Sequence, residues 1–240
     1  MEKRQELYKG KAKTVYTTDD PHLLVMHYRD DTSAFDGERV EKLEQKGETN
    51  NKINAFVMGK LAAAGVSTHF VRLLGPRDSL VRALKMLPVE CVVRNICAGS
   101  MSKRLGIPEG TVLPEPVFEF FYKSDPLKDP MVNDDHIRIL GWASAKDIAE
   151  MKALTHKVNA VLKPLFAKAG MDLVDYKLEF GHAVDDPQGP LLLGDEFTPD
   201  GCRLWDQGTR EKLDKDRFRR NLGNVIGKYR EVAERIGAPL

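Results

Sequence analysis

The stretch Leu173-Val174-Asp175-Tyr176-Lys177-Leu178-Glu179-Phe180 alternates apolar and polar residues, and this alternation decides the fold. Successive side chains of a strand point to opposite faces, so the pattern predicts a strand over 173–180. Asp175, Lys177 and Glu179 share one face, whereas the other face is apolar and can be buried. The stretch therefore predicts a sheet with one charged face and one core face.

A second strand is predicted shortly after it, over Leu191-Leu192-Leu193-Gly194-Asp195-Glu196-Phe197. The intervening run 185–190 is rich in turn residues, which favours an antiparallel hairpin centred near Pro187. In that register Glu179 lies opposite Asp195, and directly opposed residues point to the same face. A shift of one residue in the loop would change this pairing.

Two opposed carboxylates repel each other unless a cation lies between them. Mg²⁺ uses one or two protein carboxylates and completes its coordination with water and phosphate oxygens. Our hypothesis from the pattern is that Glu179 and Asp195 hold Mg-ATP. The alternative is a surface ladder of salt bridges that runs through Lys177.

The rest of the chain predicts an α+β protein with mostly antiparallel sheets, because strands and helices do not alternate regularly. Predicted strands and helices follow hydrophobic periodicity. They comprise a hairpin over 7–16 around Gly10, strands over 23–28, 68–73, 80–83, 89–94 and 117–122, and helices over 50–64, 101–105, 144–169 and 215–236. Neither GxGxxG nor GxxxxGK[ST] is present, so the standard dinucleotide and P-loop motifs are missing.

Pro88 interrupts the pattern between two predicted strands. Proline cannot donate a hydrogen bond to a sheet ladder, so we expect the strand to stop there. This position predicts a boundary between two lobes, residues 1–87 and residues 88–240.

Composition excludes several classes of protein. The chain has 240 residues, with 37 Lys and Arg against 36 Asp and Glu, and this balance does not favour a nucleic-acid partner. No apolar run approaches the ~18 residues of a membrane span, and the charged start predicts no signal peptide. A cytoplasmic location is expected. The three cysteines and six histidines lack the spacing of a disulfide framework or zinc site.

Several charged or polar segments are candidate ligand contacts, each with a plain structural alternative. Lys11 and Lys13 share a face of the first hairpin and predict phosphate contacts or a solvated edge. Arg94 and Ser100 flank a predicted helix start, which favours either anion binding or an ordinary N-cap. The run 30–37 combines carboxylates and hydroxyls, and it predicts either an amino-acid pocket or a turn.

Beyond these patterns, the chain resembles the phosphoribosylaminoimidazole-succinocarboxamide synthase (SAICAR synthetase) family in its bacterial short form. The matching motifs occur in family order over nearly the full length. They are YKGKAK at 8–13, DTSAFDG at 31–37, VECVVRN at 89–95, Gly99-Ser100, DPMV at 129–132, LVDYKLEFG at 173–181 and GDEFTPDGCR at 194–203. Cys202 stands where a serine is expected.

The resemblance implies a two-lobed fold related to the ATP-grasp and kinase folds, with ATP between the lobes. The N-terminal lobe would cover ATP, and the C-terminal lobe would carry the metal and substrate sites. It further implies a homodimer, and it implies these ligand contacts: Lys11, Lys13, Lys123, Met86 and Glu90 for ATP; Glu179 and Asp195 for Mg²⁺; Ser33, Asp36, Arg94, Ser100, Asp129, Asp175, Lys177 and Arg203 for the other substrates.

The implied reaction is that of an ATP-dependent ligase of de novo purine biosynthesis. Carboxyaminoimidazole ribonucleotide (CAIR) and L-aspartate would give SAICAR, ADP and phosphate through an acyl phosphate. Lys177, Asp36 and Asp175 are the expected catalytic residues, with Asp36 as a proton acceptor. A small-molecule kinase of similar fold and a non-enzymatic nucleotide-binding module are the alternatives.

Overall fold

The computed structural model describes residues 1–34 and 39–240. Its strands, in chain order, are β1 (Glu6–Lys9), β2 (Lys13–Thr17), β3 (Leu23–Tyr28), β4 (Asp31–Ala34), β5 (Arg39–Lys42), β6 (Phe70–Leu73), β7 (Asp78–Arg82), β8 (Leu84–Ile96), β9 (Val112–Tyr122), β10 (Met131–Val132), β11 (Met171–Ala183), β12 (Leu192–Gly194) and β13 (Cys202–Asp206). Its α-helices are α1 (Lys46–Ala63), α2 (Gly99–Leu105), α3 (Asp134–Ile139), α4 (Ala145–Lys168), α5 (Asp216–Arg219) and α6 (Val225–Ile236).

Two large antiparallel sheets contain all the described strands except β4 and β5, which pair with each other. The first has the order β1-β2-β3-β7-β6 and ends at Arg82. The second has the order β10-β9-β8-β11-β12, with β13 also paired to β11, and begins at Leu84. The predicted α+β class with mostly antiparallel sheets is confirmed, whereas the division into lobes at residue 87 stays a prediction.

The strand break predicted at Pro88 is wrong, because β8 runs through this residue. Opposite β11, Glu90 pairs with Glu179 and Met86 pairs with Gly181. Three residues of β8 therefore lie opposite a single residue of β11. A bulge of this kind removes the need for a ladder hydrogen bond from proline, which is why the strand tolerates Pro88.

The hairpin of β11 and β12 forms as predicted, but its register differs by one residue. Glu179 pairs with Gly194 rather than with Asp195. Asp195 has a left-handed backbone with φ of 53°, so it leaves the strand that was expected to carry it. A conformation of this kind is unfavourable for a non-glycine residue by roughly 1–2 kcal/mol.

Two further expectations need correction. A turn was one of the two alternatives for the run 30–37, but Asp31–Ala34 within it forms β4 and pairs with β5. The single helix expected over 215–236 is split into α5 and α6. Between them, Asn221, Gly223 and Asn224 have φ values of 56°, 68° and 47°, and left-handed residues cannot continue a right-handed helix.

The apolar face of β11 carries the main core. Tyr176, Leu178 and Phe180 are at most 1% exposed and belong to one cluster with the apolar stripe of α4. The Tyr176 hydroxyl donates to the Thr155 carbonyl of α4 at 3.0 Å. Ser144 caps this helix through a capping box with Asp147. The helix therefore fixes one face of β11 and leaves the charged face for the site.

Candidate active site

Lys177, on the polar face of β11, contacts three carboxylates. Its Nζ contacts the Glu179 carboxylate and lies 3.1 Å from Glu90 Oε1 and 3.4 Å from Asp195 Oδ2. The salt-bridge ladder considered as an alternative is therefore present. It is not a surface feature, since the Glu179 side chain is only 5% exposed.

Two further lysines converge on the same carboxylates. Lys13 of β2 contacts Asp195 and lies 3.0 Å from Glu196 Oε1. Lys123, just after β9, contacts Glu179. Because Lys13 belongs to the first sheet, this group joins the two sheets. We name it the lysine–carboxylate cluster, and its members are Lys13, Glu90, Lys123, Lys177, Glu179, Asp195 and Glu196.

Burial and charge oppose each other in this cluster. Burial disfavours the ionised form of Asp195, but the charges of Lys13 and Lys177 outweigh it and lower the pKa of this carboxyl. Burial likewise disfavours the charged form of Lys177, yet Glu179 and Asp195 raise the pKa of its ammonium. At Glu90 burial dominates and raises the pKa. The central lysine and Asp195 are therefore both charged at neutral pH.

Glu179 and Asp195 fit a magnesium ion that also binds phosphate oxygens. One ammonium group, that of Lys177, reaches both carboxylates, so a compact cation at this position can do the same. Within residues 1–34 and 39–240, no group of three or more His, Cys, Asp or Glu side chains is arranged to hold a metal ion. Mg²⁺ needs only one or two protein carboxylates when phosphate supplies other ligands.

His69 contacts the backbone of Asp195 and was not predicted as a site residue. Its Nε2 lies 2.9 Å from the Asp195 carbonyl oxygen. Burial lowers the pKa of this imidazole to about 4, so the ring is neutral at pH 7. Since a carbonyl can only accept, the single ring proton lies on Nε2.

A second group of charges surrounds Asp175. Arg94 donates through Nη1 to Asp175 Oδ2 at 2.9 Å, and Arg203 donates through Nη1 to the same oxygen at 2.8 Å. Arg94 also donates to Glu119 Oε2 at 2.7 Å and to the Ser100 hydroxyl at 3.0 Å. We name this set, together with Asp216, the arginine cluster.

The fold holds both guanidinium groups firmly. Arg203 donates through Nε to Asp216 Oδ2 at 3.0 Å. A Cβ on Gly99 would lie 2.5 Å from the Arg203 guanidinium, and Gly99 has a φ of 58°, so glycine is required there. Arg94 is 4% exposed, whereas the Arg203 side chain is 18% exposed. Arg203 is therefore the arginine that a ligand can reach more easily.

The remaining predicted site residues lie around these clusters or outside them. Lys11 pairs with Asp125 at 2.9 Å, and Asp129 accepts a hydrogen bond from the Ser124 amide at 2.8 Å. Met86 lies over Gly194, since a Cβ on that glycine would be 2.9 Å from the Met86 sulfur.

The structure describes one of the two residues predicted for the amino-acid pocket, Ser33 and Asp36. Ser33 is 7% exposed on β4. Asp36 lies outside the described residues, so the structure does not test its proposed role.

Sequence reasoning missed three carboxylates that hold basic side chains in place: Glu119 holds Arg94, Asp216 holds Arg203, and Glu196 holds Lys13. Glu119 interrupts the apolar run 117–122, and a lone acid in a buried strand was the available signal. Asp216 lies within a stretch predicted as continuous helix and carried no such signal. Glu196 follows Asp195 directly, and the sequence pattern gave it no role distinct from that of Asp195.

The sequence model of the SAICAR synthetase family matches residues 6–236. The chain belongs to the SAICAR synthetase family. Two relatives named phosphoribosylaminoimidazole-succinocarboxamide synthase, from Alteromonas mediterranea and Idiomarina loihiensis, are each 63% identical over 240 residues, covering 100% of this chain and 100% of the relative. The resemblance seen in the motifs is thereby confirmed, together with the predicted class of enzyme, a ligase of purine biosynthesis.

Solved SAICAR synthetases share the fold. The synthase from Ehrlichia chaffeensis is 44% identical, with a TM-score of 0.96 over 98% of this chain and 100% of that chain. A SAICAR synthetase in complex with ADP is also 44% identical, with a TM-score of 0.93 over 98% of each chain. The synthase from Saccharomyces cerevisiae complexed with SAICAR is 21% identical with a TM-score of 0.78, over 98% of this chain and 94% of that chain.

Cys202 stands at the position where the family resemblance predicts a serine. Its sulfur lies 3.3 Å from the Thr198 carbonyl oxygen, to which the thiol donates, and the residue is 4% exposed. This position is therefore a packing site.

In the described part of the chain, no helix is both long enough and apolar enough to traverse a bilayer.

Proposed function

We propose that the chain joins CAIR to L-aspartate by phosphorylating the CAIR carboxylate with ATP, which gives SAICAR, ADP and phosphate. The observation that carries this proposal is the convergence of Lys13, Lys123 and Lys177 on Glu179 and Asp195. Three ammonium groups beside two acids form a site for a polyphosphate and its cation. Membership of the SAICAR synthetase family and the ADP complex of a relative support the same substrate.

ATP would lie along the lysine–carboxylate cluster, with Met86 and Glu90 toward the base. Lys13 and Lys123 would contact the phosphates, and Lys11 of the first hairpin would assist them. Glu179 and Asp195 would hold Mg²⁺, which when bound supplies positive charge that offsets the charge on the phosphoryl oxygens. The lysines can exchange a carboxylate for a phosphate because an ammonium is a compact charge on a flexible stem.

The imidazole nucleotide would occupy the arginine cluster. Arg203 and Ser100 would contact its phosphate, with Arg94 held behind them. Asp175 and Lys177 would orient the ribose and the carboxylate. Because Asp175 and Lys177 are neighbours on one face of β11, the carboxylate would face the cluster where the γ-phosphate lies. Ser33, Asp36 and Asp129 complete the proposed contacts to CAIR and aspartate.

The proposed reaction has two steps. A carboxylate oxygen of CAIR attacks the γ-phosphorus, the bond from phosphorus to the ADP oxygen breaks, and ADP leaves. The aspartate nitrogen then attacks the acyl carbon, the bond from carbon to the phosphate oxygen breaks, and phosphate leaves. The ammonium of aspartate loses two protons as the amide forms: Asp36 is the proposed acceptor of one, and the leaving phosphate takes up the other. Lys177 stabilises charge on the transferred phosphoryl group.

Release of ADP with ATP, CAIR and aspartate, omitting each in turn, tests the proposal. Formation of SAICAR is expected only with all three substrates. CAIR labelled with heavy oxygen in its carboxylate should pass one labelled oxygen to phosphate. Unlabelled phosphate would argue against the acyl phosphate, and ADP release that does not need aspartate would favour a kinase.

The assembly and location of the chain are also proposals. We propose a cytoplasmic homodimer with small-molecule substrates and without nucleic-acid partners. Light scattering coupled to size-exclusion chromatography tests the dimer, for which a mass twice the 27.0 kDa of the chain is expected. A mass of one chain at micromolar concentration would contradict it.

A further inference from the structure

The Asp195 carboxylate depends on an unusual backbone conformation. The residue follows β12 directly and has a φ of 53°. Strand geometry would have continued the alternation of side chains across the sheet. The left-handed turn instead directs the carboxylate toward Lys13 and Lys177. Whatever fixes this turn therefore fixes one of the two acids proposed to hold the cation.

The His69 side chain contacts the backbone of this turn. Its Nε2 lies 2.9 Å from the Asp195 carbonyl oxygen, and the residue is 4% exposed. Water therefore competes little for this hydrogen bond. A carbonyl held by a buried donor cannot rotate freely, which restrains the peptide that follows Asp195.

The backbone of His69 is itself anchored on both sides. Its amide donates to the Leu193 carbonyl at 2.8 Å, and its carbonyl accepts from the Arg82 amide at 2.7 Å. Leu193 belongs to β12 of the second sheet, and Arg82 ends β7 of the first. His69 thus joins β12, the strand directly before Asp195, to the sheet that carries Lys13.

We infer that His69 is a positioning residue, which holds the Asp195 carboxylate in place for the cation through a hydrogen bond to the Asp195 carbonyl. The inference rests on the proposed function, in which Asp195 holds the cation of ATP. The role requires only a donor at the position of Nε2. Glutamine can place an amide N–H there, whereas leucine fills similar space without a donor and asparagine is too short to reach.

Binding of Mn²⁺ in the presence of ADP, followed by electron paramagnetic resonance, tests the role without relying on turnover. His69→Leu is expected to weaken Mn²⁺ binding about 10-fold, as is typical when a group that orients a metal ligand is lost. His69→Gln should restore most of this affinity. If His69→Leu does not fold, His69→Asn takes its place with the same expected loss.

The matched control is His182→Leu. His182 also contacts a backbone carbonyl, that of Gly189 at 3.0 Å, but its other ring nitrogen lies 3.2 Å from Asp147 Oδ1 rather than near Asp195. This variant should bind Mn²⁺ as the wild type does. The binding of ADP without metal should be unchanged in His69→Leu, because the lysines that contact the phosphates remain.

Two results would overturn the role of His69. One is wild-type Mn²⁺ affinity in His69→Leu, and the other is an equal loss of metal-free ADP binding, which would indicate general damage between the sheets. The proposed cation site is tested separately by Glu179→Gln. If that variant binds Mn²⁺ normally, the site itself is wrong.

Discussion

The lysine–carboxylate cluster and the arginine cluster pair the same opposite charges in different ways. In the arginine cluster, two guanidinium groups share one oxygen of Asp175 and are each held by a further acid. In the lysine–carboxylate cluster, single ammonium groups reach the acids from separate elements, and Lys13 reaches them from the other sheet.

The arginine cluster is therefore a fixed frame, and the lysine–carboxylate cluster is an adjustable one. Guanidinium groups donate several hydrogen bonds in fixed directions, whereas ammonium groups are point charges on flexible stems. The arginine cluster is therefore suited to holding a ligand in one orientation. The lysine–carboxylate cluster is suited to charges that change during turnover, as in phosphoryl transfer.

The largest effect is expected from the two acids of the adjustable cluster. Glu179→Gln and Asp195→Asn should each lower kcat by about 100-fold or more, because each removes a carboxylate proposed to hold the cation whose positive charge stabilises the transferred phosphoryl group. Aspartate-dependent ADP release measures this. Asp185→Asn, an exposed acid in the same hairpin that pairs with Arg82, is the matched control and should keep wild-type kcat. Near-normal turnover in both test variants would refute the assignment.

A smaller effect, and on a different constant, is expected in the fixed frame. Arg203→Lys keeps the charge but loses the separate Nε and Nη1 donors that hold Asp216 and Asp175 in fixed directions, so KM for CAIR should rise about 10-fold while kcat changes less. Steady-state kinetics with CAIR varied measures it. Arg210→Lys, near the same strand, serves as control. A fall in kcat with unchanged KM would place Arg203 in the chemistry instead.

Asp214 supports the arginine cluster and should make the stability of the protein depend on pH. Its Oδ1 accepts a hydrogen bond from the backbone amide of Asp216 at 2.7 Å. Burial raises the pKa of this carboxyl from 3.8 to about 7. The folded protein therefore holds a proton that the unfolded chain has lost, so stability from this group is present at low pH and falls as pH rises toward 7. Between about pH 6 and pH 7.5 the loss should be about 1 kcal/mol.

Asp214→Asn should flatten this part of the stability profile, because an amide does not ionise. Urea unfolding of both proteins at several pH values measures the difference. Equal slopes in the wild type and the variant would show that the Asp214 carboxyl does not titrate in this range.

The smallest effect is expected at Lys11. Its pair with Asp125 is exposed, with side-chain exposures of 49% and 73%, and exposed ion pairs contribute about 0–1 kcal/mol. Lys11→Ala should therefore change the free energy of unfolding by less than about 1 kcal/mol, as measured by urea unfolding, with Asp125→Asn as the reciprocal variant. A larger loss would mean that Lys11 is part of the buried framework.

The alternation of β11 was enough to predict the charged face of Asp175, Lys177 and Glu179, because strand periodicity is a local property. Local patterns also singled out Lys11, Lys13 and Arg94 as candidates, and the resemblance to the family added Lys123 and Arg203. The convergence of these residues depends on pairing between strands far apart in sequence. Lys123 and Glu179, for example, are 56 residues apart yet in contact.

The failures have local physical causes. The register of the hairpin was missed by one residue because the loop between the strands sets it, and the alternation within the strands does not. The left-handed conformation of Asp195 was missed because no hydrophobic pattern records it. The predicted strand break at Pro88 was wrong because this residue lies in a β-bulge, where no ladder hydrogen bond from its nitrogen is needed. Glu119 and Asp216 were missed because their role is to hold other residues, and such a role becomes visible only once the contacts are known.

The central claim is that Glu179 and Asp195 together bind the cation of ATP. A crystal structure with ADP and Mn²⁺, using the anomalous signal of manganese, tests it most directly. We expect one manganese peak with oxygens of both carboxylates at about 2.0–2.2 Å, near the distance typical of Mg²⁺, and Lys177 no longer bridging the two acids. A peak away from either carboxylate, with Lys177 still between them, would contradict the account.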